Sequence, residues 1–174
     1  MEVGDRPRVG IHEMLFLTGQ YFHAIDAKSR LTIPAKLRDA INRKEETYRF
    51  YAVPLFDKVL YLYTPQTYEQ IAPQFEPKLD ASADVRDFKR LRFGLAEQLE
   101  IDRLGRVLIP DSMARRCGLT KDVAIIGVQD HIEVWDRARW EDHMSQQLDR
   151  QEELAARAIG LQDGSKEPEA PKTD

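Results

Sequence analysis

Two ten-residue runs of the chain carry the same chemistry. They are Ile25-Asp26-Ala27-Lys28-Ser29-Arg30-Leu31-Thr32-Ile33-Pro34 and Ile101-Asp102-Arg103-Leu104-Gly105-Arg106-Val107-Leu108-Ile109-Pro110. Five of the ten positions are identical: Ile, Asp, Arg, Ile and Pro. An aspartate and an arginine four residues apart can meet across a polar turn as a charge-assisted pair. Aspartate also accepts hydrogen bonds from nearby backbone amides, which fixes a turn. Gly105 supplies a positive φ where the turn needs one. Lys28, Arg30, Arg103 and Arg106 then give each turn an exposed basic tip. A two-stranded ribbon can enter the major groove of DNA, where arginine contacts guanine edges or phosphates. Arg38 follows Pro34 by four residues and is a secondary candidate for DNA contact.

The runs belong to a longer internal repeat. Leu60-Tyr61-Leu62-Tyr63 before Tyr68-Glu69 parallels Ile132-Glu133-Val134-Trp135 before Trp140-Glu141. The spacing predicts the same elements in each copy. A strand leads in (21–25; 97–101), a polar turn follows (26–29; 102–105), and a second strand ends at proline (30–33; 106–109). A short helix comes next, over 35–41 and 111–117, with Pro34 and Pro110 at its start and Gly118 placed to cap the second copy. Two further strands are predicted over 47–53 and 59–63, then 123–128 and 132–135. Amphipathic helices over 65–75 and 136–148 close the copies, and Asp136 suits an N-cap. Residues 14–75 and 97–148 thus read as two repeats. Residues 76–96 form a connector with a helix over 84–95, where Val85, Phe88, Leu91 and Leu95 recur at helical spacing. One such repeat is too small to bury both faces of its strands, so the halves must complete each other. The fold class is β-rich α+β with flanking helices.

Composition bounds the rest. Of the 174 residues, 42% are hydrophobic and 32% charged, enough for a core with polar surfaces. No apolar run reaches the roughly 18 residues of a membrane helix, and no secretory signal is legible. Cys117 is the single cysteine, which excludes an intramolecular disulfide and fits a reducing cytoplasm. No metal site or cofactor is expected. The net charge of −4 is uneven. Residues 149–174 hold seven acids against four bases and residues 1–14 three against two, which leaves the middle neutral. Phosphate affinity therefore depends on gathering bases on one side. Residues 1–13 read as disordered or as a non-native extension, with folded structure starting at Met14. Residues 149–174 read as a helix end and an acidic tail, poorly ordered from Gly160 onward.

Blander roles stand beside these. Asp26 and Asp102 could serve only to pin their turns. Arg86, Lys89, Arg90 and Arg92 read as a solvated helix face or a subunit interface. Trp135, Trp140, Tyr63 and Tyr68 read as packing residues, His23 and His131 as ordinary strand residues, and Cys117 as a buried small hydrophobe. An enzyme with Asp26 and Asp102 as paired carboxylates lacks a nucleophile, a phosphate loop or a metal cluster. An antitoxin-like interaction module remains the alternative, with residues 148–173 as its partner segment.

The tandem motif resembles the paired Asp-x-x-x-Arg signatures of the MraZ family. The stretch Phe93-Gly94-Leu95-Ala96-Glu97, the segment Gly118-Leu119-Thr120-Lys121-Asp122-Val123 and the ending Glu133-Val134-Trp135-Asp136 extend the resemblance over about 14–148. The resemblance implies two pseudo-symmetric SpoVT/AbrB-like swapped-hairpin units in a double-psi-like barrel arrangement. It implies a ring-shaped homo-oligomer that binds promoter direct repeats of the division and cell-wall gene cluster. It implies transcriptional repression, in the cytoplasm on the nucleoid, with no small-molecule substrate. Carried over by motif, Lys28, Arg30 and Arg106 are the implied DNA contacts. The family turn usually has Gly before the motif arginine, whereas this chain has Ser29 in the first copy. That turn must adopt another conformation or carry strain.

Overall fold

The computed structural model describes residues 15–42, 49–75 and 82–163. Expectations for residues 1–13, for Met14, for the start of the connector and for the tail beyond Asp163 lie outside the described residues. The chain forms two compact units, the first ending at Arg137 and the second beginning at Ala138.

The first unit is β-rich. Its strands are β1 (Gln20–Ala24), β2 (Arg30–Thr32), β3 (Arg49–Pro54), β4 (Leu60–Tyr63), β5 (Glu97–Glu100), β6 (Arg106–Leu108), β7 (Asp122–Val128) and β8 (His131–Asp136). Its helices are α1 (Ala35–Asn42), α2 (Pro65–Ile71), α3 (Ala83–Gly94) and α4 (Asp111–Arg116). Pro34 and Pro110 immediately precede α1 and α4. Their carbonyls accept from Leu37 and Arg38, and from Met113 and Ala114, at 3.0–3.1 Å. Gly118, at φ +57, follows the last turn of α4, and Leu119 N–H reaches back to Ala114 O at 2.9 Å. The cap expected there is present. The helix predicted over 65–75 is α-helical only to Ile71 and tightens into a 3-10 turn over Ala72–Phe75. Pro73 has no N–H to continue the α ladder.

The strands pair across the repeats. Six of them form an antiparallel sheet in the order β1-β7-β8-β4-β3-β5. The first strand of each copy lies against the third strand of the other. Tyr21 opposes Ile125 and Phe22 opposes Ala124, while Phe50 opposes Leu99. The fourth strands meet in the middle, with Leu60 opposite Val134 and Leu62 opposite Ile132. The second strands leave the sheet and pair with each other, Leu31 opposite Val107, as a two-stranded ribbon. One bridge, Ile101 to Val107, joins the ribbon to the end of β5.

This pairing corrects two expectations. The sequence reads each Asp-to-Arg turn as the tip of a two-stranded hairpin, but the two strands that flank it lie in different ladders. The described residues also form no closed barrel, because the sheet ends at β1 and β5, and the β2–β6 ladder is three residues long.

One core is shared by both copies. Leu31, Ile33, Leu37 and Ile41 from the first pack in the same cluster as Val107, Ile109, Met113 and Cys117 from the second. All eight are buried. Each fully buried Leu or Ile contributes about 1.5–3 kcal/mol relative to exposure. Neither copy holds that apolar surface by itself, as its size requires.

The second unit holds α5 (Arg137–Leu148, of which Arg137 belongs to the first unit) and α6 (Gln151–Asp163). The helix α6 runs on into the stretch that the sequence marks as poorly ordered from Gly160. Leu154, Ala155, Ala156, Arg157 and Ala158 are strong helix formers, and they carry the helix past Gly160.

Candidate nucleic-acid interface

The two Asp-to-Arg turns share one hydrogen-bond pattern, to which the second adds a contact from Arg106 Nη2. In the first, Asp26 Oδ1 accepts the backbone N–H of Lys28 at 2.8 Å and of Arg30 at 2.9 Å. Its Oδ2 accepts Arg30 Nε at 2.9 Å. In the second, Asp102 Oδ1 accepts the N–H of Leu104 at 2.9 Å and of Arg106 at 3.0 Å. Its Oδ2 accepts Arg106 Nε at 2.8 Å and lies 2.7 Å from Arg106 Nη2. The backbone closes each turn identically, with Ser29 N–H to Asp26 O and Gly105 N–H to Asp102 O, both at 2.9 Å.

These bonds explain the spacing. One aspartate oxygen shapes the loop through the backbone, while the other holds the arginine side chain. The backbone amide of Arg30 is the strongest influence holding the Asp26 carboxyl below the usual carboxylate range, against some desolvation. For Asp102 the Arg106 side chain leads, and the carboxyl falls to about 2. Both aspartates are therefore ionised at neutral pH. Each guanidinium keeps further N–H donors beyond those the carboxylate takes.

Ser29 sits at φ +57 and Gly105 at φ +76. The first turn thus adopts the left-handed conformation of the second without glycine, which resolves the choice posed by the sequence in favour of strain. Non-glycine residues reach this region at a cost of about 1–2 kcal/mol.

The antiparallel register places the turns at opposite ends of the ribbon. Arg30 opposes Leu108, and Arg106 opposes Thr32. The carbonyl of Ser29 accepts Ile109 N–H at 2.8 Å, and that of Gly105 accepts Ile33 N–H at 2.9 Å. Each turn is thereby stitched to the other copy's second strand. Asp26 and Asp102 do not converge as a carboxylate pair, since each is held by its own arginine at its own end.

The candidate contacts differ in exposure. Lys28 and Arg103 are exposed. The Arg30 and Arg106 side chains are 31% and 23% exposed, held inward by their aspartates. Arg38, on α1, is half-buried and donates from Nε to Ile33 O at 3.1 Å. Its guanidinium lies against Gly105, where an added Cβ would come within 2.6 Å of Nε and Nη1. The structure therefore brings Arg38 of the first copy to the turn of the second.

Sequence reasoning missed a polar cluster on β8. The His131 ring lies 5.1 Å from both the Tyr61 ring, on which it stacks, and the Tyr63 ring, to which it is tilted. Its Nδ1 is 2.6 Å from Asp130 Oδ1, and its Nε2 is 3.5 Å from Glu133 Oε1. Trp135 Nε1 donates to Glu133 Oε2 at 2.7 Å. Burial opposes the charged imidazole, but the hydrogen bonds to Asp130 and Glu133 outweigh it and carry its pKa up to about 8. The signal in the sequence is His131, Glu133 and Trp135 at every second position, which a strand places on one face. Arg92 departs from the solvated or interfacial face that its spacing predicts. It is buried, with its guanidinium 5.4 Å from the Tyr63 ring centre. Trp135, Trp140, Tyr63 and Tyr68 are buried, as expected of packing residues. Among the described residues no helix is long and apolar enough to cross a membrane.

Comparison with known proteins falls on the same stretch. The model of the MraZ protein family, described as antitoxin-like, matches residues 16–91 and 93–162. A protein of Syntrophomonas wolfei called transcriptional regulator MraZ is 34% identical over 143 residues, covering 82% of this chain and 96% of its own. One of Acetivibrio thermocellus with the same name is 34% identical over 143 residues, with the same coverage. Another from Moorella thermoacetica is 33% identical over 141 residues, covering 81% of this chain and 95% of its own.

Proposed function

Because the chain belongs to the MraZ family, we propose that it regulates transcription by binding double-stranded DNA sequence-specifically, and is not an enzyme. The relatives' names supply the regulatory role. One observation carries the DNA contact: two turns with the same hydrogen-bond pattern present Lys28, Arg30, Arg103 and Arg106 at the two ends of one ribbon. Phosphate contacts from these cations position the protein, and arginine donors reach base edges. Asp26, Asp102 and Gly105 set the shape of the tips.

Residues 14–75 and 97–148 act in this reading as two SpoVT/AbrB-like repeats in a pseudo-symmetric, swapped-hairpin pair, joined by 76–96. The reciprocal pairing of β1 with β7 and β5 with β3 supports it. The target is a set of promoter direct repeats in the division and cell-wall gene cluster, and the effect is repression. A cytoplasmic, nucleoid-associated, ring-shaped homo-oligomer offers several tips to repeats in phase. Avidity then raises an affinity that one tip of a nearly neutral core cannot supply.

The test is a fluorescence-anisotropy titration on the DNA upstream of the chain's own gene, at two salt concentrations. Wild-type protein binds that duplex over a scrambled one, and binding weakens steeply with salt. Arg30→Ala with Arg106→Ala removes it. Binding indifferent to both arginines, or no preference for the segment, turns the weight to a second reading. That reading is a protein-interaction module, which the antitoxin-like description of the family favours. Its mark is a stable complex with a protein partner that forms without DNA.

A further inference from the structure

We infer that the two basic tips are unequal, because the first repeat lends Arg38 to the tip of the second. This rests on the DNA-binding reading above and adds to it which tip dominates and why.

The asymmetry is written in two pairs of equivalent positions. Arg38 stands four residues after Pro34, and Ala114 stands four residues after Pro110. Ser29 precedes Arg30, and Gly105 precedes Arg106. In the fold these positions are matched crosswise. The long cationic side chain of Arg38 lies on the residue that has no side chain, Gly105. The copy with Ala114 at the equivalent position is stitched, through Ile109 N–H to Ser29 O, to the turn that carries the extra hydroxymethyl group of Ser29.

Arg38 is held there by more than proximity. Its Nε donates to Ile33 O, and Ile33 N–H donates to Gly105 O. The same peptide stretch thus fixes both the guanidinium and the turn. Gly105 is buried beneath it. With Nε committed, the terminal nitrogens of Arg38 add donors beside Arg103 and Arg106. Charge follows. The first tip has Lys28 and Arg30 against Asp26, a net of one positive charge. The second has Arg103 and Arg106 against Asp102, and Arg38 raises it to two. Since phosphate affinity scales with cations brought to the backbone, the second tip is the stronger anchor. A chain with one strong and one weak tip has a direction along DNA, which suits direct repeats rather than palindromes.

The experiment has two arms on the full chain. The first needs no DNA: a thermal double-mutant cycle of Gly105→Ala and Arg38→Ala. The single Gly105→Ala variant loses more thermal stability than the same change made on the Arg38→Ala background, because the collision is gone there and only the φ strain remains. Equal losses on both backgrounds would mean that the guanidinium swings off Gly105 at no cost, and would overturn the claim that Arg38 is held on the second tip. The second arm is anisotropy on the upstream duplex. Arg38→Ala flattens the dependence of log K on log salt by about 0.9 for each phosphate that the side chain neutralises. Arg38→Lys restores part of that slope, and Lys36→Ala leaves it closer to wild type. Arg103→Ala costs more affinity than Lys28→Ala. Wild-type slope in Arg38→Ala, or equal losses for Lys28→Ala and Arg103→Ala, overturns the inference while leaving the DNA-binding reading intact. Absence of DNA binding by the wild-type protein sinks both.

Discussion

Ser29 holds a turn that glycine would hold with less strain. The left-handed backbone there costs about 1–2 kcal/mol, and glycine returns roughly 0.4–1 kcal/mol of that through unfolded-chain entropy. Ser29→Gly should therefore stabilise the protein by up to about 1.5 kcal/mol in urea unfolding, with DNA affinity unchanged. A drop in stability would mean that the serine hydroxyl is needed where it stands. The aspartates make an acid-range prediction. The Asp102 carboxyl is depressed to about 2 by the Arg106 side chain first and by backbone amides after it. A depressed acid contributes stability above its unfolded pKa, and that contribution disappears as pH falls through the folded value. Carbon-detected NMR should find Asp102 titrating near 2, and Arg106→Ala should move the midpoint up toward the ordinary carboxylate range. A normal midpoint in the wild-type protein would refute the bonding seen at the turn.

At the scale of elements, the short ribbon concentrates the core. Leu31 is fully buried opposite Val107, at the centre of the β2–β6 ladder. Leu31→Ala should cost about 2–5 kcal/mol, the usual range for a buried leucine truncated without collapse of the site. A cost under about 1 kcal/mol in chemical denaturation would mean that the ribbon is not part of the shared core. The strand β8 carries the other titration. The His131 imidazole is desolvated, yet its carboxylate neighbours raise its pKa from 6.5 to about 8. A raised base stabilises fully below the unfolded value and loses that contribution as pH climbs through the folded one. Stability should drop by about 2 kcal/mol as pH rises from 6.5 through 8, and His131→Gln should flatten that slope. An unchanged profile in the variant would assign the dependence elsewhere.

On the scale of the whole molecule, the charge sets the binding regime. The formal charge of −4 gives no general attraction to nucleic acid, so the proposed DNA binding requires local tips used many times over. Two direct repeats in phase should bind about 10²–10⁴ times more tightly than one, the range that linked sites reach through effective concentration. Anisotropy on one-repeat and two-repeat duplexes measures the ratio. A ratio near one, or full affinity in a monomeric protein, would remove avidity from the mechanism.

Much of this was legible from the chain alone. The repeated Asp-to-Arg motif, the strands around it, the prolines that end β2 and β6 and the capping Gly118 follow from local rules of spacing, turn chemistry and φ preference, which act within a few residues. The pairing was not legible. Strand period shows which face is buried but not which strand lies alongside, and here β1 and β5 each pair with the other copy rather than with their own β2 and β6. The seating of Arg38 on Gly105, the burial of Arg92 and the carboxylate cage of His131 depend on that pairing or on packing between distant elements. Residues tens of positions apart meet only when the shared core closes. The sequence by itself therefore determined the shape of each turn, and the tertiary structure alone decided which side chains stand beside it.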